Sequence, residues 1–231
     1  MLRGSVSLRR APIAAALLLA ALTCAACGGG YNYYSSAAAH AYFRMPSGWT
    51  RFTQSQIFAN TGQSQSASEK SSVRFLMGFD ADPRPAVDHV LNLTPKVATP
   101  YPIAVVQVRR LTQDDADSFS YAQIRNSVFP IDNLIKNAQS AFQAPVDVLT
   151  YTTTTTPPGY YGITMTYDLT YNPGQGFTGA GNDVLRYTQI GLYNPNADLF
   201  YLLLVGCSAT CYEHNQASIG QVVHSWTVKE R

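Results

Sequence analysis

Between residues 163 and 171 the chain alternates without a fault. Ile163, Met165, Tyr167, Leu169 and Tyr171 fall on one side, and Thr164, Thr166, Asp168 and Thr170 on the other. A period of two describes a strand half-buried against a core, not a helix. Strands need partners, so this stretch commits the chain to a sheet. Residues 184–193 supply an antiparallel neighbour across a loop. Asn194-Pro195-Asn196-Ala197 then turns the chain into residues 199–205, which are apolar throughout and so buried on both faces. Residues 102–111 contain Ile-Ala-Val-Val-Gln-Val and read as another central strand. Residues 73–79 read as a strand that stops at Asp80-Ala-Asp-Pro-Arg-Pro85, whose prolines cannot join a ladder. Residues 42–52 carry two aromatic-rich segments around Pro46-Ser47-Gly48, the pattern of a hairpin. Residues 61–72, rich in Gln and Ser, read as a loop.

Helical periodicity enters in the middle and at the end. Asp114, Asp115 and Asp117 precede a helix expected over 119–128, placing acids where a helix N-terminus favours them. Pro130 opens a clearer helix, with Ile131, Leu134, Ile135, Ala138 and Phe142 on one stripe, and Pro145 ends it. The sheet is expected to resume only after the threonines of 152–156 and Pro157-Pro158-Gly159. Ile219, Val222, Val223 and Trp226 form a second stripe, followed by a short strand or tail over 227–230. The fold class is α+β, a central antiparallel β-sheet flanked by helices.

The N-terminus is an address. Arg3, Arg9 and Arg10 precede an apolar run over 13–22, shorter than the roughly 20 residues a bilayer span requires. Ala25-Ala26-Cys27-Gly28 follows and resembles the bacterial lipobox. That resemblance implies diacylation of Cys27 and cleavage before it, with residues 1–27 as signal peptide ending at the lipobox cysteine. Cys24 departs from the pattern, which usually has an aliphatic residue there; an ordinary secreted protein cut near Ala26 is the alternative. Residues 28–41 are expected to form a flexible tether, with His40 idle in it, and 42–231 a single domain. The location is extracytoplasmic, anchored to the cell membrane.

Charge and cysteine content narrow the partners. Three of the 16 basic residues lie in the leader, leaving 13 against 14 acidic ones, so no basic field remains to attract nucleic acid. With 46% apolar residues the chain can bury a core. Cys207 and Cys211 are expected to form a disulfide outside the cytoplasm, worth about 2 kcal/mol for so short a loop. Free thiols, or a metal site with His214, are the alternatives.

Chemistry-bearing motifs are scarce. Gly174-Gln-Gly176-Phe-Thr-Gly179 matches a dinucleotide-binding pattern by letter, but strand-like sequence follows where a helix is required. Asp80, Asp82, Asp88 and His89 read as a surface loop, with cation chelation as the sharper alternative. Asn92-Leu-Thr94 is an incidental glycosylation triplet, and His224 is expected to be exposed or capping. No nucleophile–base motif is present, and Glu69, Glu213 and Glu230 lie in polar or terminal settings. No catalytic residue, metal or cofactor is expected.

Two motifs carry a family resemblance. Phe43-Arg-Met-Pro-Ser-Gly-Trp49 resembles the opening "F-x-(I/M)-P-x-G-W" of PsbP-like domains, and Ile219-Gly-Gln-Val-Val-His-Ser-Trp226 their closing "I-x-x-S-F". Actinobacterial lipoproteins of the LpqN type look like the nearest relatives. The resemblance implies a PsbP-like α/β/α sandwich over 42–231 and non-enzymatic work with a partner protein of the envelope. A Tyr/Gly-rich face around Tyr160, Tyr161 and Phe177 is the candidate interface, with ordinary sheet packing as the other reading of these aromatics. The alternatives are a carrier holding a lipid or other apolar ligand between sheet and helices, and, behind it, a hydrolase.

Overall fold

In the computed structural model, residues 30–61, 66–93, 100–138, 145–171 and 183–229 are described. A small sheet pairs β1 (Tyr31–Ser36) with β2 (Ala41–Pro46), and β2 with β10 (Thr227–Val228). The main sheet contains β3 (Thr50–Thr53), β4 (Val73–Asp80), β5 (Ile103–Arg110), β6 (Val146–Thr154), β7 (Tyr161–Tyr171), β8 (Asp183–Asn194) and β9 (Leu199–Ser208). Its order is β3-β4-β5-β9-β8-β7-β6, with every neighbour antiparallel.

The helices are α1 (Gln54–Asn60), α2 (Ala67–Ser72), α3 (Val87–Leu91), α4 (Gln113–Ser118), α5 (Tyr121–Arg125), α6 (Ile131–Ala138), α7 (Ala209–His214) and α8 (Gln216–Ser225). The α+β class read from the sequence is the architecture observed.

Strand β9 sits where its uniform apolarity requires, buried on both sides. Phe200, Leu202 and Leu204 pack with Ile163, Met165, Tyr167 and Leu169 beneath Ile124, Phe129 and Ile131 of the α5–α6 region. Leu203 and Val205 point the other way, to Ala104, Val106 and Phe79, beneath Phe43 and Met45 of β2 and Ile219 and Val222 of α8. The second covering layer therefore contains a small sheet as well as a helix.

Five local expectations are corrected. The proposed tether is strand from Tyr31 onward, because Tyr34 stacks on Phe43 at 5.5 Å and meets Phe79 edge-on at 5.0 Å. Residues 42–52 do not form a hairpin: β2 and β3 belong to different sheets, and the Pro46–Trp49 turn is a corner between them. Part of the polar stretch 61–72 is α2, started by a capping box in which Ser66 and Glu69 exchange hydrogen bonds. The helix expected over 119–128 is displaced and split. Thr112 caps α4, which takes Asp114 and Asp115 into its first turn, and extended Phe119 and Ser120 separate it from α5. The 152–156 threonines lie partly in β6, an edge strand whose second side meets no neighbour among the described residues. Phe142 lies outside the described residues, and Ile135 of the expected stripe is 40% exposed.

Gln189 breaks the apolar pattern on the buried face of β8. It is fully buried; its Nε2 donates to the Ile124 carbonyl at 2.7 Å and its Oε1 accepts from the Tyr167 hydroxyl at 3.2 Å. Tyr187 donates to the Leu93 carbonyl at 2.8 Å. Burial pushes both phenols, Tyr167 and Tyr187, well above the ordinary tyrosine value. Below that value both folded and unfolded chains keep these protons and stability is complete. Above it the unfolded chain ionises first, so stability falls by about 1.4 kcal/mol per pH unit for each phenol. Urea titrations between about pH 9 and 12 are expected to show this loss, with a shallower slope in Tyr187→Phe. Equal slopes in the two proteins would remove Tyr187 from the account.

Candidate functional site

One end of the main sheet gathers several turns. The β8–β9 turn is built by Asn194, whose carbonyl accepts from Ala197 N at 3.3 Å and whose Oδ1 accepts from Asn196 N at 3.0 Å. Asn194 Nδ2 donates to the Tyr160 hydroxyl at 2.7 Å. The β1–β2 turn places His40 at φ +52°, and its carbonyl accepts from Lys229 N at 3.0 Å, just past β10. A bulge between Val73 and Phe75 takes Arg74 out of the β4 register. Arg110 ends β5 opposite Leu199.

Between these elements opens a cleft of about 690 Å³. Its wall carries Arg74, Arg110, Lys229 and His40 beside Asn194, Asn196, Tyr160 and Tyr201. No carboxylate among the described residues lines it, and none pairs with Arg74, Arg110 or Lys229. The Lys229 ammonium lies 4.8 Å from the centre of the Tyr42 ring. Once the leader is discounted the chain carries a net negative charge, so three cations with no acid between them form a local positive field.

The strand register gives this cleft an orientation. At the far end of β1, the Gly30 carbonyl accepts from Ser47 N at 2.8 Å, and Thr50, next to that corner, pairs with Asp80. Asp80, Ile103 and Gly206 define that end of the main sheet, whereas Arg110 and Leu199 define the cleft end. At about 3.3 Å per residue, the six residues of β1 separate Gly30 from the cleft-side turn by about 20 Å.

Other expected site residues are placed differently. Tyr160 and Tyr161 do not share a face. Tyr160 is buried with Val108, Leu192 and Tyr201, while Tyr161 donates from the opposite side to the Phe119 carbonyl at 2.7 Å. Successive residues of an extended chain point to opposite sides, and these two rings lie on different sides of the sheet. Phe177, residues 174–179, Thr94 and Glu230 lie outside the described residues, as do Cys24 and Cys27. Cys207 and Cys211 form the disulfide, with Cα atoms 5.9 Å apart, at the turn from β9 into α7. His214 and His224 are exposed.

The Asp80 group is a clasp. The fully buried carboxylate accepts from Asp82 N at 2.8 Å, Ala86 N at 3.0 Å and His89 Nδ1 at 2.7 Å, so loop 81–86 wraps around it. Among the described residues no group of three or more His, Cys, Asp or Glu side chains is arranged to hold a metal ion. The chelating alternative therefore has no support here. Asp132 and Asp168 are likewise engaged, by Arg125 and Arg186.

No family model and no curated protein matches the chain. Among solved structures it is similar to PsbP (CyanoP) from Synechocystis sp. PCC 6803, with a TM-score of 0.45 and 13% identity over 88% of this chain and 97% of that one. It is also similar to the Ran-binding protein Mog1p of Saccharomyces cerevisiae, with a TM-score of 0.43 and 9% identity over 86% and 95% of the two chains. A third likeness, at TM-score 0.39 and 12% identity, is to PA94 from Pseudomonas aeruginosa, over 88% of this chain and 100% of that one. At these scores and identities the likenesses carry no functional weight, and the fold description rests on the sheet order and packing above.

The cleft cations were not singled out by sequence reasoning. The available signal was positional: Arg74, Arg110 and Lys229 each lie within two residues of a strand end.

Proposed function

We propose that this chain is an exported lipoprotein of the LpqN type, held at the membrane through acylated Cys27, and that it works as a non-enzymatic binding protein of the cell envelope. The observation that carries the binding role is the basic cleft at the sheet end remote from Gly30. Cys27 precedes Gly30 by three residues, a reach of about 10 Å at most. A domain on so short a leash turns its Gly30 end to the bilayer and its cleft outward, toward soluble or wall-borne partners.

Two observations favour binding over catalysis. Among the described residues His89 meets a carboxylate, but no hydroxyl or thiol nucleophile is hydrogen-bonded to it. Among the described residues the cleft offers cations, amides and phenols, and no carboxylate to serve as a base. The carrier reading is weaker, because the layer between sheet and α5–α6 is filled by Ile124, Phe129, Ile131, Tyr167 and Phe200.

Cys27→Ala is expected to move the protein from the membrane to the soluble fraction and to abolish palmitate labelling, whereas Cys24→Ala still yields a labelled protein. Labelling that persists in Cys27→Ala and disappears in Cys24→Ala would overturn Cys27 and assign the anchor to Cys24. Absence of labelling in the wild type would remove the lipoprotein reading.

A further inference from the structure

We infer that the outward-facing cleft is a site for a phosphorylated sugar or polyol, whether a free sugar phosphate or the phosphodiester unit of an anionic envelope glycan. The inference rests on the cleft being the binding site proposed above, and it adds the chemical class of the occupant.

The charges set the sign. Arg74, Arg110 and Lys229 line one concavity with no carboxylate among the described residues, so an anion that enters relieves their mutual repulsion. Two of the three are guanidinium groups, from the paired strands β4 and β5. A guanidinium presents its N–H donors as a planar fork that matches two oxygens of one phosphoryl or carboxylate group, and an ammonium adds a point charge. Three cations suit a phosphomonoester dianion, or successive phosphodiester monoanions of one polymer, better than a single carboxylate.

The remaining wall sets the size and character. A cleft of about 690 Å³ falls in the range of small-molecule sites and is far larger than a lone inorganic ion needs. Beyond the cations it presents the Asn194 and Asn196 amides and the Tyr160 phenol. The Asn194 amide is held in place by its bonds to Tyr160 and to Asn196 N. A pre-set amide, a second amide and a phenol are groups that pair with hydroxyls. The anion therefore comes attached to a hydroxylated body. A nucleic-acid occupant is disfavoured, because Tyr201 and Tyr160 are 1% and 7% exposed and show no ring face on which a base could stack.

The test uses the full-length protein in detergent micelles, titrated by calorimetry with glucose 1-phosphate, glucose, inorganic phosphate and poly(glycerol phosphate). Glucose 1-phosphate or the polymer is expected to bind at least about tenfold more tightly than glucose, with affinity falling as salt rises. Arg74→Ala/Arg110→Ala is expected to lose about tenfold or more while its far-UV circular dichroism stays that of the wild type. Arg110→Lys keeps the charge but not the fork and is expected to fall between the two. Preference for the monomer assigns a free ligand, and preference for the polymer assigns the glycan. Equal affinity for glucose and glucose 1-phosphate, or an unchanged affinity in the double variant, overturns the inference. If a photocrosslinker at Ala197 captured a ligand in cells while none of the phosphorylated probes bound, the phosphoryl assignment would fall. The use of the cleft would stand.

Discussion

Asp80→Ala is expected to cost about 3–5 kcal/mol of folding stability, a large share of what a single domain possesses. The carboxylate is fully buried and satisfies two backbone amides and one imidazole nitrogen. Alanine leaves all three donors without their acceptor at a fully buried position, and each such group costs roughly 1–3 kcal/mol. Asp80→Asn retains the shape but turns N–H groups toward donors, so it is expected to recover only part of the loss. Urea denaturation measures both, and a fall in midpoint at unchanged slope is the expected signature. Hydrogen exchange should quicken first in loop 81–86 and α3, which close over the carboxylate. The cleft lies at the other end of the sheet, so ligand affinity is expected to be preserved wherever the variant folds. A loss under about 1 kcal/mol would mean that Asp80 does not organise this loop.

The second large effect is expected at Gly206. A Cβ built there would stand 2.2 Å from the Arg186 carbonyl oxygen and 2.5 Å from Tyr187 Cδ1. The first contact is with backbone of the paired strand β8, so relief requires β8 and β9 to separate in the middle of the sheet. Gly206→Ala is expected to lose more than about 3 kcal/mol or to leave no folded protein. Gly48→Ala is the matched control, because nothing lies within 4 Å of its would-be Cβ. It is expected to stay within about 0.5 kcal/mol of the parent. A Gly206→Ala protein as stable as the Gly48→Ala protein would show that the sheet yields where it is drawn tight.

What could be read from sequence follows the range of the forces involved. The alternation from Ile163 to Tyr171, the doubly buried run in β9 and the Ile219–Val222 stripe are local patterns, and each became the element expected. Strand β1 could not be read that way, since its fixed point is Tyr34 between Phe43 and Phe79, a contact made only by the fold. The threonines of β6 carried no alternation because an edge strand with exposed Val148, Leu149 and Tyr151 has little buried side to mark. The cleft was the least legible feature: its cations come from three distant parts of the chain and meet only because ends of β4, β5 and β10 gather at one place. The opposite sides taken by Tyr160 and Tyr161 were available from parity alone.

The two borders of the main sheet differ in a way that governs self-association. At β6 a nine-residue strand offers its outer backbone groups with bulky apolar side chains beside them. At β3 the border is four residues long and runs straight into α1. In a pair joined β6 to β6 about a two-fold axis, both long borders would be consumed. What is left exposed at either extremity is a border too short to recruit a third copy. Such a pair would leave this sheet no long border from which a filament could grow.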